Sequence, residues 1–161
     1  MIKAIDTNIL LDILIPNPAY LESSLNCLLA HEPEEELIIS PVVFAELGAQ
    51  FLSHDDLLLF LRETGMKMIP LNEKALFEAS RVWKVYNSQS REEIICPICG
   101  NRQRMICASC GERIPHRQHI LSDFLIGAHA KIQADQLITR DRGFYRTYFQ
   151  DLNILRPDVL G

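Results

Sequence analysis

Short runs of hydrophobic residues alternate along this chain with longer segments in which hydrophobic residues recur every three or four positions. The short runs predict the buried strands of a four- or five-stranded sheet, at residues 2–5, 37–39, 66–69, 137–139 and, as the fifth, 154–155. The longer segments predict helices at residues 18–30, 41–52, 55–63, 72–86 and 122–134. This alternation predicts an α/β fold with a central, mostly parallel sheet and helices on both of its faces.

Capping residues mark where several of these helices begin. Ser40 suits the N-cap of helix 41–52, and Asn72 suits the N-cap of the long helix that follows it. Ser122 or Asp123 is predicted to cap the helix that runs to about residue 134. The aromatic cluster at residues 144–149 predicts a short, packed final helix.

One segment, residues 88–118, shows neither a helical nor a strand pattern and holds four of the five cysteines. We interpret it as an insertion into a loop of a single domain that spans residues 1–161. The 48% hydrophobic and 23% charged residues are typical of a globular protein. No hydrophobic run is long enough to cross a membrane, and no basic region precedes the first one, so we expect a cytoplasmic protein.

Charge is distributed unevenly along the chain. The net charge of −5 does not indicate nucleic-acid binding, for which a basic excess is typical, although acidic residues around a metal are neutralised in the working site. Residues 91–117 hold five arginines against three acidic residues. Such a basic lobe fits a phosphate-bearing substrate, but on charge alone a solvated surface loop is the favoured interpretation.

Two aspartates follow predicted strands near opposite ends of the chain. Asp6 comes directly after strand 2–5, and Asp141 follows strand 137–139. In an open α/β sheet, residues beyond the carboxyl ends of the strands line the ligand crevice, so we expect both in one anionic pocket. Aspartates at strand ends also form turns by bonding the following backbone, and both positions allow that simpler interpretation.

Glu46 and Asp123 are further acidic candidates, each on a predicted helix. Helix 41–52 is apolar nearly all round and is predicted to be buried, so an ionised Glu46 needs a partner, which in the simpler interpretation is an arginine or solvent. Asp123 lies in the first turn of its helix, where an aspartate either caps the helix or points into the crevice.

One metal site explains all four acidic residues together, whereas the simpler interpretations need a separate explanation for each. Carboxylate oxygens completed by waters are the ligands that Mg²⁺ or Mn²⁺ takes. A metal held in this way polarises a phosphoryl oxygen and lowers the pKa of a bound water, which then attacks phosphorus. The residues therefore indicate phosphodiester chemistry.

Four segments carry a resemblance to a known family. They are Asp6-Thr7-Asn8, Val43-Phe44-Ala45-Glu46-Leu47, residues 122–130 and residues 137–145. In this order and spacing they resemble a PIN-domain ribonuclease, and within that family the VapC-type toxins of type II toxin–antitoxin systems. The resemblance covers roughly the whole chain except the cysteine insertion.

The resemblance implies a Mg²⁺- or Mn²⁺-dependent endoribonuclease that cleaves single-stranded RNA and has three layers, α/β/α. It also implies a homodimer, and an antitoxin protein whose tail enters the acidic site. The residues that match the family's metal-binding and catalytic acids are Asp6, Glu46, Asp123 and Asp141. Asn8 and Thr139 match the polar residues that support the acids or the metal's waters.

The insertion contains the pattern Cys-x-x-Cys-Gly twice. Cys96 and Cys99 form the first pair, Cys107 and Cys110 form the second, and each following glycine frees the backbone for a tight turn. Two such pairs predict a structural zinc site with four thiolate ligands in a compact hairpin. The alternatives are an iron–sulfur cluster on the same ligands, a redox-active dithiol, or disulfides, which a cytoplasmic location disfavours.

The insertion also separates this chain from the VapC-type pattern, in which this loop is usually shorter. Because it lies directly before Asp123, we expect it to overhang the acidic site, where its arginines bind RNA phosphate or it docks a protein. One alternative function is a non-catalytic RNA- or protein-binding module that works through the insertion, which four retained acids argue against. The other is a phosphatase with an aspartyl nucleophile, which needs a second acid shortly after Asp6, where the chain has Asn8 instead.

Overall fold

A computed structural model describes residues 1–88, 93–95, 99–112, 120–141 and 143–157, and of residues 94 and 95 the backbone. The described elements, in chain order, are β1 (Ile2–Ile5), α1 (Thr7–Leu14), α2 (Leu21–Leu29), β2 (Glu36–Ile39), α3 (Pro41–Gly48), α4 (His54–Glu63), β3 (Lys67–Met68), α5 (Glu73–Ser88), β4 (Ile94–Ile95), β5 (Arg102–Gln103), α6 (Leu121–Gln133), β6 (Gln136–Ile138), α7 (Phe144–Tyr148) and β7 (Ile154–Leu155).

Five strands form the central sheet in the order β3-β2-β1-β6-β7, and every neighbouring pair is parallel. The prediction of an α/β fold with a mostly parallel sheet is therefore confirmed, and β7 supplies the fifth strand. Connections from β1 run outward to β2 and β3, whereas β6 lies on the other side of β1. Since crossovers between parallel strands are right-handed, this reversal puts α1–α4 on one face and α5–α7 on the other.

The core lies against the central strands, where the hydrophobic runs are nearly continuous. Ile5, Ile39 and Ile138 on three adjacent strands are almost fully buried, as expected for strands covered by helices on both faces. Helix α6 brings Phe124 into this core, where its ring packs against Phe144 on α7 with centroids 4.9 Å apart. The final aromatic helix is thus packed, as predicted.

Helix α1 is not predicted by the hydrophobic pattern. Residues 9–11 and 13–15 are hydrophobic almost without interruption, so no three- or four-residue period distinguishes a helix there. In the structure Ile9 and Leu10 face the core, and the helix begins immediately after Asp6. The aspartate that ends β1 therefore lies at a strand-to-helix junction.

Two details of the predicted helices are wrong. Helix α3 ends at Gly48 rather than at residue 52, and only one face of it is buried, since Val43 and Leu47 are buried while Ala45 is exposed. Ser40 does cap it, because its hydroxyl oxygen accepts a hydrogen bond from Val43 N at 3.3 Å. Helix α6 begins at Leu121, so Ser122 and Asp123 lie within the first turn and neither is the N-cap.

The insertion contains strand structure that its sequence does not predict. Strands β4 and β5 pair antiparallel, with Ile94 opposite Gln103 and Ile95 opposite Arg102, and they form a sheet of their own. Each strand is two residues long, which is too short for alternation to be visible in a sequence. Cys96, one of the four predicted zinc ligands, lies outside the described residues, as do three of the insertion's five arginines.

Among the described residues, no helix combines the length and the hydrophobicity that a membrane-spanning helix requires.

Candidate active site

The strand order places Asp6 beside the end of β6. Asp6 N donates a hydrogen bond to Ile138 O at 3.0 Å, so the residue that follows β1 stays in register with the neighbouring strand. These two strands are where the connections reverse direction, and such a switch point opens a crevice at the carboxyl ends of the strands. The prediction that both strand ends share one pocket is met by the topology of the sheet.

Asp6 is held by a network of polar side chains below the crevice. Its Oδ2 accepts hydrogen bonds from Thr139 Oγ1 at 2.6 Å and from Asn8 Nδ2 at 2.5 Å. Asn8 Nδ2 also lies 3.1 Å from Thr139 Oγ1, which in turn accepts a bond from Asp141 N at 3.0 Å. Thr139 is fully buried, so it orders the two aspartates from beneath.

Glu46 reaches the crevice from helix α3, on the side of the sheet where α1 lies. Its Oε2 accepts a hydrogen bond from the hydroxyl group of Thr7, the first residue of α1. Its hydrogen-bond partner among the described residues is therefore a hydroxyl group rather than an arginine, and its partial exposure fits the predicted contact with solvent. Thr7 joins the site as a residue that was not predicted to belong to it. Glu46 itself is half-buried, since the exposed side of α3 lies next to it.

Asp123 and Asp141 each combine a capping bond with a place at the crevice. Asp123 Oδ2 accepts a hydrogen bond from Ile120 N at 3.1 Å, across the first turn of α6. Asp141 Oδ1 accepts bonds from Gly143 N at 2.9 Å and Phe144 N at 2.7 Å, at the start of α7. Asp123 thus bonds across the first turn of its helix without being the N-cap, Asp141 forms a turn with the backbone that follows it, and both residues also line the crevice.

The four acids line one cavity with a volume of about 280 Å³. Of the other predicted site residues, Asn8 also lines the cavity, whereas Thr139 does not line it and contacts it through its hydrogen bond to Asp6. The remaining described residues of the lining are Thr7, Leu11, Ile126, Arg140, Phe144 and Tyr145. The tertiary structure thus brings Asp6, Glu46, Asp123 and Asp141 together from four separate parts of the chain.

Burial disfavours the ionised form of the Asp6 carboxyl group. Asp6 is only 6% exposed. The resulting desolvation raises the pKa of its carboxyl group from 3.8 to about 6, and the negative charge of Asp123 makes a smaller contribution to the rise. Hydrogen bonds from Thr139, the Thr7 backbone and Tyr145 oppose this rise in pKa. A cation bound next to Asp6 would favour its ionised form and oppose this rise in pKa.

Tyr145 is the most informative residue that the sequence analysis interpreted only as packing. It is buried on α7, lines the cavity, and interacts with Asp6 through a side-chain hydrogen bond. Burial and the charges of Asp6, Asp123 and Asp141 hold the pKa of its phenol well above the usual range, so the phenol keeps its proton and acts as a hydrogen-bond donor to the Asp6 carboxylate. No local pattern in the sequence places it at the site.

The donor set of the cavity fits a hard divalent cation. Bonds between described residues take one oxygen of Glu46, Oε2, and one of Asp141, Oδ1, so the second oxygen of each carboxylate faces no described donor. Among the described residues, no three acidic, histidine or cysteine side chains already converge on a single point. Mg²⁺ does not require such convergence, because it keeps several waters and takes one or two protein carboxylates directly.

The predicted zinc site is not shown by the described cysteines of the insertion. Backbone N–H groups of Cys110 and Ser109 donate to the Cys107 sulfur and lower the pKa of its thiol. Gly100 and Gly111, which follow the second cysteine of each pair, have φ angles of 72° and 74°, the left-handed conformation that glycine adopts freely. Cys99, Cys107 and Cys110 do not form a metal cluster within the described part of the chain.

The comparisons with known proteins agree with this topology. The family model of the PIN domain matches residues 3–150. By sequence alone, no curated protein is significantly similar to the chain.

Three toxin–antitoxin structures are similar in fold. VapBC2 from Rickettsia felis, bound to a DNA fragment from its promoter, has a TM-score of 0.61 at 18% identity, covering 98% of this chain and 100% of the other. VapBC-1 from nontypeable Haemophilus influenzae has a TM-score of 0.61 at 19% identity, covering 97% and 98%. A toxin–antitoxin complex from Klebsiella pneumoniae has a TM-score of 0.56 at 17% identity, covering 98% and 99%.

At these identities the structural neighbours establish a shared fold. The family model, by contrast, spans nearly all of the sequence, including all four acidic residues of the cavity. The chain therefore belongs to the PIN domain family.

Proposed function

We propose that this protein is a Mg²⁺- or Mn²⁺-dependent endoribonuclease that cleaves single-stranded RNA. The observation that supports it most directly is the cavity at the switch point of the sheet, which Asp6, Glu46, Asp123 and Asp141 line together. Four carboxylates in one pocket repel one another and destabilise the fold unless a cation neutralises them. Their presence together therefore favours a metal-binding site over an inactive pocket.

The chain's own residues have distinct tasks in this proposal. Glu46 and Asp141 present carboxylate oxygens to the metal, and Asp6 does so after it has lost its proton. A metal bound there polarises a phosphoryl oxygen and lowers the pKa of its bound water. Thr139, Asn8 and Tyr145 keep the Asp6 carboxylate in one orientation.

We also propose that the protein is the toxin of a toxin–antitoxin pair. The similar structures are VapBC complexes, and their similarity extends over almost the whole chain. An antitoxin protein is then the partner that silences the acidic site, and a homodimer is the expected assembly. Co-expression with the product of the adjacent gene tests this, since an antitoxin suppresses both the growth defect and the RNA cleavage.

The nuclease proposal is tested by cleavage of a pool of single-stranded RNAs with Mg²⁺, with Mn²⁺ and with a chelator. We expect cleavage only with metal, and Asp141→Asn to reduce it by about 10³-fold or more, since a metal ligand is lost. Asp55→Asn, on the exposed first turn of α4, is the matched control and keeps full activity. If the metal-loaded protein binds RNA tightly but cuts none of the pool, the protein is a binding module instead.

For the insertion, we propose a structural zinc held by Cys96, Cys99, Cys107 and Cys110 within residues 88–118. Its support is the pair of left-handed glycines that follow the two cysteine pairs, together with the backbone amides directed at Cys107. Such amides stabilise a thiolate, which is the form that binds zinc.

Elemental analysis of protein purified without added metal tests this proposal. We expect about one zinc per chain, and Cys107→Ser to lose it. Cys27→Ser, in helix α2 and far from the insertion in sequence, is the matched control and keeps the metal. Iron with visible absorbance assigns an iron–sulfur cluster instead, and the absence of both metals contradicts a metal site.

A further inference from the structure

A fifth carboxylate, Asp12 on helix α1, lies buried behind the cavity and takes no part in the acid cluster. It is 2% exposed. Its Oδ2 accepts a hydrogen bond from Ser24 Oγ at 2.9 Å and lies 3.0 Å from Nε of Arg140. The contact with Arg140 is an ion pair whose angle falls short of hydrogen-bond geometry. Asp12 therefore restrains the Nε side of the Arg140 guanidinium through this ion pair.

Two other contacts restrain Arg140. Its guanidinium carbon lies 4.5 Å above the centre of the Tyr20 ring, a cation–π arrangement that restricts tilting of the group. Its backbone N donates to Asn8 Oδ1 at 3.2 Å, which ties the residue to the network around Asp6. A guanidinium held by its edge and its face loses little further freedom when it binds a ligand.

Arg140 also lines the cavity. The Arg140 side chain is 37% exposed, and no hydrogen bond between described residues uses its two terminal nitrogens. Among the described residues that line the cavity, Arg140 is the sole cation beside four carboxylates. A polyanionic substrate that approaches these acids needs a positive group at the entrance, and a planar fork of N–H donors matches a phosphate.

We propose that Arg140 is an RNA-binding residue that contacts a backbone phosphate at the edge of the acidic cavity, and that Asp12 and Tyr20 position it. This inference rests on the proposal that single-stranded RNA is the substrate. Asp12 neutralises much of the charge of Arg140 through its contact with Nε, and it leaves the two terminal nitrogens of the guanidinium available as donors. The contact is to the backbone, so it strengthens binding of RNA of any sequence.

The test measures binding of a fluorescent single-stranded RNA in an Asp141→Asn background, where the RNA stays intact, between about 50 and 200 mM salt at constant Mg²⁺. We expect Arg140→Gln to weaken binding about threefold to tenfold and to reduce the slope of log K against log salt by about 0.7, the value for one phosphate contact on a single strand. Arg62→Gln, an exposed arginine on α4 that does not line the cavity, changes neither value.

Arg140→Gln also leaves Asp12 buried without its cation, so a double variant, Asp12→Asn with Arg140→Gln, is measured in parallel with thermal melting of both. A folded variant with an unchanged salt slope overturns the inference and leaves Arg140 as a counterion for Asp12. If the Asp141→Asn parent itself does not bind RNA, the proposed substrate fails instead. The two failures are distinguished by whether the parent binds.

Discussion

The carboxyl group of Asp6 illustrates how a single residue changes character when the chain folds. In the sequence it is one of several aspartates that follow a hydrophobic run. In the structure it is almost fully buried among Thr139, Asn8 and Tyr145, and its pKa is raised to about 6. Without a cation, ionising this buried carboxyl group lowers the stability of the folded state. Such a perturbed pKa is typical of residues at functional sites.

Asp6→Asn is expected to stabilise the metal-free protein at alkaline pH. The folded state holds the Asp6 proton more tightly than the unfolded chain, so the stabilisation that this proton contributes is complete below about pH 4 and is lost as the pH rises through about 6. The rise in pKa corresponds to about 3 kcal/mol, which is an upper limit for the stabilisation at pH 8. Urea unfolding at pH 4.5 and pH 8, with chelator present, checks it.

The advantage of Asp6→Asn should shrink as the pH falls toward 4, because the wild-type carboxyl is then neutral as well. Asp55→Asn is the control with an exposed side chain and should not alter the pH dependence. A constant difference in stability at both pH values contradicts the assignment of the raised pKa to Asp6.

Tyr145→Phe tests whether the phenol positions Asp6. The ring still packs between Phe144 and Phe149, so the fold should persist, but the carboxylate loses a donor and its pKa rises further. We expect metal-dependent cleavage to fall up to about tenfold at pH 6.5 and to recover at pH 8.5, since a lost bond to a charged group is equivalent to roughly one pKa unit or more. Tyr148→Phe is the control, and an equal loss of activity at both pH values contradicts the positioning role.

At the scale of elements, the contact between α6 and the segment after α7 decides where Asp123 and Tyr145 lie. Gly127 on α6 packs directly against the ring of Phe149, and an added Cβ there meets two ring carbons at 2.8 Å. Phe149 is 1% exposed and is surrounded by other aromatic rings, so it has little space in which to move. Gly127 is therefore needed for close approach of these two elements.

Gly127→Ala should destabilise the protein by about 1–3 kcal/mol, the usual cost of overpacking a filled core, although alanine favours helix over glycine. Thermal or urea unfolding measures it. Gly48→Ala, at the exposed end of α3 where an added Cβ meets nothing, is the matched control and should have little effect. If Phe149→Leu rescues Gly127→Ala, the destabilisation comes from this contact.

At the scale of the whole molecule, the insertion and the main domain form separate sheets. Strands β4 and β5 pair with each other, and in the described residues neither is a member of the five-stranded sheet. The stability of the main sheet comes from the burial of β1, β2 and β6 and the helices packed on them. We therefore expect it not to depend on the cysteines of the insertion.

If the proposed zinc is bound, its removal by a chelator should therefore leave the main thermal transition within a few degrees of its original position. Limited proteolysis should then cut within residues 88–118, because metal sites of this kind hold their own local fold. Protein kept in zinc is the control for both measurements. Global unfolding on chelation contradicts the separation of the two parts.

The local pattern determined much of the fold. The central strands β1, β2 and β6 appear as short hydrophobic runs because they are covered on both faces, and most helices show their period because one face is exposed. The pattern fails for α1, where the hydrophobic residues are nearly continuous, and for the two-residue strands of the insertion. It also misplaces the end of α3, since helix ends depend on neighbouring elements.

For the candidate site, the sequence by itself determined which acids to consider and that Asp6 and Asp141 follow strands. It left open whether Asp123 and Asp141 only bond the backbone next to them or also line a cavity, and the tertiary structure shows that they do both. Thr7, Arg140 and Tyr145 joined the site only through tertiary structure, because contact across a sheet depends on strand order. That order, with β1 beside β6, is set by packing across the whole chain and is not encoded in any local segment.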